Sequence, residues 1–144
     1  ERIFLLDKKN RYVGAKIRTG SFTSTDIELQ SVEMDGSLTQ TPEFPYNWMY
    51  DGSRPQMPGF EMEITCKSLF LIFKDSGEMD VGKADVFVND VSCMTADPHK
   101  NNWLHCNAVL LFWETESRSH KVRITVTEED QNKKFTILGF GYTI

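Results

Sequence analysis

One stretch near the end of this sequence leaves little freedom in what the chain can fold into. In His120–Thr127, Val122, Ile124 and Val126 alternate with Lys121, Arg123 and Thr125. One face of that stretch must be buried and the other wet, which is the period of a strand. Ala108–Trp113 and Phe135–Tyr142 read as strands on either side of it. The links between them, Glu114–Ser119 and Glu128–Lys134, are polar and charged, as exposed hairpin loops are.

Earlier segments repeat the theme. Ile3–Leu6 is an irregular or paired opening, and Arg11–Arg18 carries Tyr12, Val13, Ala15 and Ile17 as an early strand before the turn at Gly20 and Ser21. Asp26–Met34 reads as a strand with Ile27, Leu29 and Ser31 on one face, with a short helical turn as its alternative. Asp35–Gly59 is punctuated by Gly36, Pro42, Pro45, Gly52, Pro55 and Pro58, so it is expected to be one long loop without regular elements. Phe60–Thr65 and Leu69–Phe73 look like a hairpin whose second strand is central. Ala84–Asn89 alternates again, and Asn89-Asp90 is a turn signal. Eight or nine short strands without a long helix make residues 1–144 a single all-β domain, an antiparallel β-sandwich. Its 144 residues suffice to bury roughly two thirds of the unfolded surface.

Charge narrows the function. Lys plus Arg number 16 against 21 Asp plus Glu, a balance that argues against a phosphate-tracking nucleic-acid binder. There is no signal peptide and no apolar run long enough to span a bilayer, so no membrane role is expected. The sequence starts at Glu1 without methionine, which reads as a piece excised from a larger multidomain protein. Cys66 ends a strand and is expected to be a buried small hydrophobe, whereas Cys93 and Cys106 lie nearer loops and pair only if those loops meet.

Catalytic constellations are weak. Asp35-Gly36-Ser37-Leu38 inverts the first two residues of an esterase motif, and no strand leads into Ser37. Asp97-Pro98-His99 lacks the spacing of a base and its orienting carboxylate. Glu61 and Glu63 share a strand face, which makes them solvent-facing carboxylates before it makes them a glycosidase pair. His99, His105 and Cys106 cluster, but adjacent strand residues point to opposite faces, against zinc. No cofactor is called for; a structural calcium ion at Asp75, Glu78 and Asp80 stands as an alternative to a solvated hairpin loop.

Stacking is the stronger chemistry. Sugar rings lay flat C–H faces on Trp or Tyr while their hydroxyls ask for amides, carboxylates, arginine or imidazole around the ring. Trp103 with Asn102, His105 and Asn107 offers both halves of that requirement, and Trp48 with Tyr46, Tyr50 and Arg54 offers them again. Trp113 ends the apolar run Val109–Phe112 and is expected inside.

Three phrases carry a family likeness: Gly82-Lys83-Ala84-Asp85-Val86-Phe87-Val88-Asn89-Asp90, His120-Lys121-Val122-Arg123-Ile124 and Phe135-Thr136-Ile137-Leu138-Gly139-Phe140-Gly141-Tyr142. They resemble the jelly-roll β-sandwich modules that accompany bacterial GDSL/SGNH-type carbohydrate esterases, including the non-catalytic domain of family 2 carbohydrate esterases. The resemblance covers roughly Phe60–Tyr142, and Trp103 matches a tryptophan-bearing loop of that family; Trp48 rests on its own chemistry. What the resemblance implies is a non-enzymatic, carbohydrate-binding-module-like domain. Such a module would be a secreted or cell-surface monomer holding an attached catalytic domain on plant cell-wall polysaccharide such as xylan, mannan or β-glucan. The alternatives are a structural sandwich whose aromatic loops pack on a neighbouring catalytic domain, and a carbohydrate esterase fragment.

Overall fold

A computed structural model of the chain describes residues 2–27, 31–33, 40–52 and 58–144, with 31–33 and 40–42 described by backbone pairing alone. In chain order the strands are β1 (Phe4–Leu6), β2 (Ala15–Arg18), β3 (Ser31–Glu33), β4 (Gln40–Pro42), β5 (Trp48–Tyr50), β6 (Phe60–Asp75), β7 (Ala84–Val88), β8 (Val91–Ala96), β9 (His105–Val126) and β10 (Phe135–Thr143). A single 3₁₀ turn, Glu128–Asp130, interrupts them among the described residues. No helix there is long and apolar enough to cross a membrane.

Two long strands carry both layers of the sandwich. β6 and β9 pair antiparallel along nearly their whole length. The first half of β6 takes β2 on its other flank, and the second half of β9 continues into β7 and β8. The second half of β6 instead takes β10, whose far edge is shared by β1 and β5. Between the halves the ladder breaks: Cys66 faces Arg118 while Ser68 faces Trp113, so Glu114–Ser117 stand against Lys67 alone. His120 closes this excursion, its Nε2 lying 2.6 Å from Glu114 Oε1 while Asn89 Nδ2 reaches its Nδ1 at 2.9 Å. The extra residues let the strand bend from one layer into the other.

The layers meet on aromatic rings. Phe60 of one half packs on Phe140 of the other at 5.6 Å between centroids and on Trp48 at 5.2 Å, and Phe22 closes the end against Tyr50, Phe60 and Phe135. Burying each such ring is worth several kcal/mol, since a Phe→Ala change in a core costs about 3–5 kcal/mol. Across the edge of this core runs a polar tie, in which Asp26 accepts from Lys74 Nζ at 2.8 Å and Thr136 Oγ1 at 2.7 Å while Asn47 Oδ1 holds its backbone N–H.

Several sequence expectations need correction. The hairpin read at Phe60–Phe73 is one strand, because Cys66-Lys67-Ser68 contains no Gly, Pro, Asn or Asp and the irregularity there falls on β9, whose Glu114–Ser117 stand against Lys67. Ala108–Trp113 and His120–Thr127 are likewise one strand, with the expected loop surviving as the unpaired excursion. The proline-punctuated stretch holds β4 and β5, the latter ordered by pairing with Phe135–Ile137. Within Arg11–Arg18 only Ala15–Arg18 is strand, and within Asp26–Met34 only Ser31–Glu33, with residues 28–30 and 34 outside the described set. β8 was not anticipated; Asn89 and Asp90, at φ 51° and 65°, form the tight left-handed turn that creates it. Trp113, expected inside, is 76% exposed.

Candidate carbohydrate-stacking site

The site is assembled where β6 ends and β9 begins. Asp75, the last residue of β6, is fully buried, and three N–H donors converge on its carboxylate. Asn102 N donates to Oδ1 at 2.9 Å, while Asn101 N and Asn107 Nδ2 donate to Oδ2 at 3.1 and 2.8 Å. A buried carboxylate demands such donors, so Asp75 fixes the course of the 97–104 loop above it. The loop is pinned at its start as well. Asp97 Oδ1 accepts the His99 N–H at 2.9 Å, Ser76 N donates to Pro98 O at 2.9 Å, and His99 Nε2 meets Val81 O at 3.1 Å. Where Asn102 turns at φ 60°, its carbonyl lies 3.0 Å from the place a Cβ on Gly77 would take, which is why a residue without a side chain suits position 77.

On this base stand the groups a ligand would meet. Trp103 is 60% exposed and lies parallel to the His105 ring, 4.5 Å between centroids and 15° between planes. Histidine thus covers one indole face and leaves the other to solvent. The His105 ring is itself held, because Asn101 Nδ2 reaches its Nε2 at 2.8 Å and Asn107 Oδ1 at 3.0 Å. With Nε2 accepting, the network places the ring proton on Nδ1. The Asn101 Oδ1 acceptor, the His105 Nδ1–H donor and the Asn102 side-chain amide have no partner among the described residues, so the segment that bears the open aromatic face also carries uncommitted hydrogen-bonding groups of both kinds.

Trp103, Asn102, His105 and Asn107 are therefore brought together. Asn101 and Asp75 complete the group; Asn101 stood in the same polar run, but Asp75 was legible only as a carboxylate. The second proposed cluster does not form a platform. Trp48 and Tyr50 are 3% and 2% exposed, because they face inward from β5 onto Phe60 and Phe22. The Tyr50 hydroxyl donates to Gln131 O, and burial followed by the nearby Asp51 charge pushes its pKa up. Tyr46 is half exposed, with the Lys9 ammonium 5.1 Å over its ring. Arg54 and the Asp35–Leu38 tetrapeptide lie outside the described residues.

The carboxylates and thiols are also accounted for. Asp75 is spent on N–H donors, Asp80 pairs with Lys134 at 3.3 Å, and no group of three His, Cys, Asp or Glu able to hold a metal is found among the described residues. Glu61 pairs with Arg18 at 2.8 Å on the wet face of β6, as expected of a strand carboxylate. All three cysteines are free, so Cys93 and Cys106 do not pair. Burial, with a smaller push from Glu114, raises the Cys66 pKa to about 11, which keeps it an unreactive thiol.

No protein-family model matches the sequence, and no curated protein matches it. Solved structures do. A two-domain esterase active on acetylated mannans, crystallised with mannopentaose, is 12% identical with a TM-score of 0.62 over 98% of this chain and 36% of its own. An acetyl xylan esterase from Butyrivibrio proteoclasticus is 12% identical with a TM-score of 0.56, over 99% of this chain and 32% of its own. A family 35 carbohydrate binding module from Clostridium thermocellum is 11% identical with a TM-score of 0.52, over 100% of both chains. The fold is thus the jelly-roll β-sandwich of such modules. This chain spans about a third of the esterases it matches and the whole of the module.

Proposed function

We propose that the domain is a non-catalytic carbohydrate-binding module that targets an attached carbohydrate-active enzyme to plant cell-wall polysaccharide, outside the cell or on its surface. One observation carries this reading: the exposed Trp103 face is backed by His105, in a segment rich in amides whose course is fixed from below by Asp75. A pyranose would lay its C–H face on the open side of the indole, with hydroxyls turned toward the Asn102 side-chain amide next to it, while His105 on the covered side holds the indole in place. The arrangement binds rather than reacts. The Asp75 carboxylate is buried and saturated, and the neighbouring thiol, Cys106, alternates to the other strand face from His105 with its pKa raised by burial, so no activated nucleophile meets the imidazole. Weak binding suffices for targeting, because tethering raises the local concentration of substrate at the enzyme.

The ligand expected is xylan, mannan or β-glucan. Pull-down of the domain on each insoluble polysaccharide, with a glycan array beside it, tests the reading. Retention by at least one β-linked cell-wall glycan is expected, and failure to bind any of them would overturn it.

A second reading is favoured by one feature, the outer face of the β1–β10–β6–β9 layer. Phe70 pairs with Leu110 and with Gly141, and Ile3, Leu5, Leu110 and Trp113 are 59%, 40%, 49% and 76% exposed. That face offers little for sugar hydroxyls and suits an apolar protein surface, such as a neighbouring catalytic domain. Sedimentation of the isolated domain weighs it: a monomer at all concentrations counts against a strongly adhesive face.

A further inference from the structure

A second concavity lies away from Trp103, at the edge of the sandwich between the turn after β1 and the start of β2. It encloses about 670 Å³, within the range of small-molecule sites. Leu6, Tyr12 and Ile17 give it an apolar wall, and Trp48 borders it. Tyr12 is held in place by stacking on Tyr142 at 4.6 Å and by donating its hydroxyl to Thr65 O at 2.7 Å.

The polar atoms of this cleft are unbalanced. Asp7 lines it, but both carboxylate oxygens are taken by its own turn: Oδ1 accepts from Lys9 N at 2.9 Å and Asn10 N at 2.6 Å, and Asn10 Nδ2 lies 3.1 Å from each oxygen. The donors are less committed. Arg11 makes no ion pair among the described residues, and Lys8 Nζ spends two of its three protons on Thr25 Oγ1 at 2.8 Å and Ser24 O at 3.3 Å. Burial also depresses the Lys8 pKa, a sign of partly desolvated surroundings. Trp48 supplies the third donor. Although the residue is 3% exposed, its indole N–H finds no acceptor among the described residues and is not sealed from solvent. Trp48 borders this cleft, so an indole N–H that keeps contact with solvent is available as a donor to a ligand there.

We propose that this cleft is a second binding site, for a small carboxylate with an apolar body, whose oxygens accept from Arg11, Lys8 and the Trp48 indole. A carboxylate carries acceptors alone and so complements a set of donors, while the Leu6, Tyr12 and Ile17 wall takes the hydrocarbon. Sugar hydroxyls, which bring donors of their own, suit the mixed groups around Trp103 better.

The probe pair is 3-phenylpropanoate and its primary amide, read by the indole N–H resonances of ¹⁵N-labelled protein. Trp103→Phe and Trp113→Phe alter exposed residues and identify two of the three indole signals, leaving Trp48 by elimination without disturbing the core. The acid should move the Trp48 signal saturably in the millimolar range, with the amide and the Arg11→Gln variant each about tenfold weaker. The Trp103 signal should stay in place. A Trp48 signal unmoved at about 10 mM acid, equal action of acid and amide, or movement of the Trp103 signal instead would each overturn the proposal.

Discussion

Asp75→Asn tests how the Trp103 loop is held. The substitution keeps shape and volume but turns one carboxylate oxygen into an NH₂ group, so a donor faces donors. If the amide nitrogen replaces Oδ1, the 2.9 Å bond from Asn102 N is lost; if it replaces Oδ2, the bonds from Asn101 N and Asn107 Nδ2 at 3.1 and 2.8 Å are lost. The cheaper choice still forfeits one charge-assisted bond, about 1.5–3 kcal/mol, and leaves an N–H buried against an NH₂. Relief from holding a charge at a fully buried position offsets part of this, so the net loss expected is about 2–3 kcal/mol. For a domain of this size that lowers Tm by about 6–12 °C. Calorimetry reads it directly, and hydrogen exchange should show the Asn101 and Asn102 amides losing protection before the β6–β9 ladder does. A Tm within about 1 °C of wild type would refute the argument that Asp75 organises the loop.

Other residues give independent checks. Trp48→Ala should cost about 3–5 kcal/mol, much of the stability of a typical domain, and circular dichroism melts should show it; a mild effect would mean that Trp48 is not the core residue described. Thiol titration of the native protein at mildly alkaline pH should find exposed Cys93 reactive and Cys66 silent until denaturant is added, since Cys66 is held at about 11. Fast reaction at Cys66 would contradict its burial. For Asp130, burial alone would raise the pKa, but the Lys83 N–H at 2.8 Å, the Lys133 charge and further side-chain hydrogen bonds outweigh it and leave it depressed. A depressed carboxylate stabilises the fold above its unfolded pKa and loses that contribution as pH falls through the folded value. Asp130→Asn should therefore cost about 1 kcal/mol at neutral pH and nothing in strong acid, and a pH-independent difference in denaturant midpoint would contradict the sign.

Most of the fold could be read where burial leaves a period of two. Val122, Ile124 and Val126 are buried as their alternation requires, and so are Ala84 and Val86. Illegible parts trace to irregularities in the ladder. Phe70 pairs with Leu110 and Leu69 with Phe112, so Leu111 is an extra residue that shifts the parity of the run. Phe112 therefore turns inward beside His120 while Trp113 turns out, which an unbroken apolar run could not disclose. The three-residue strand Trp48–Tyr50 was hidden among prolines, and its inward orientation is imposed by pairing with Phe135–Ile137, more than eighty residues away. At the candidate site, Trp103, Asn102, His105 and Asn107 were visible because they lie within one loop and the start of the strand after it. Asp75 is brought to them by the β6–β9 register, in which it faces His105. Sequence alone shows no such register.

The central claim rests on the open face of Trp103. It is tested most directly by affinity electrophoresis of wild type and Trp103→Ala through gels containing whichever soluble cell-wall polysaccharide retards the wild type. Truncating an aromatic anchor typically costs at least about 2 kcal/mol, so affinity should fall about 30-fold or more. Melting should hardly change, because Trp103 is 60% exposed. Equal retardation of the two proteins would contradict the account.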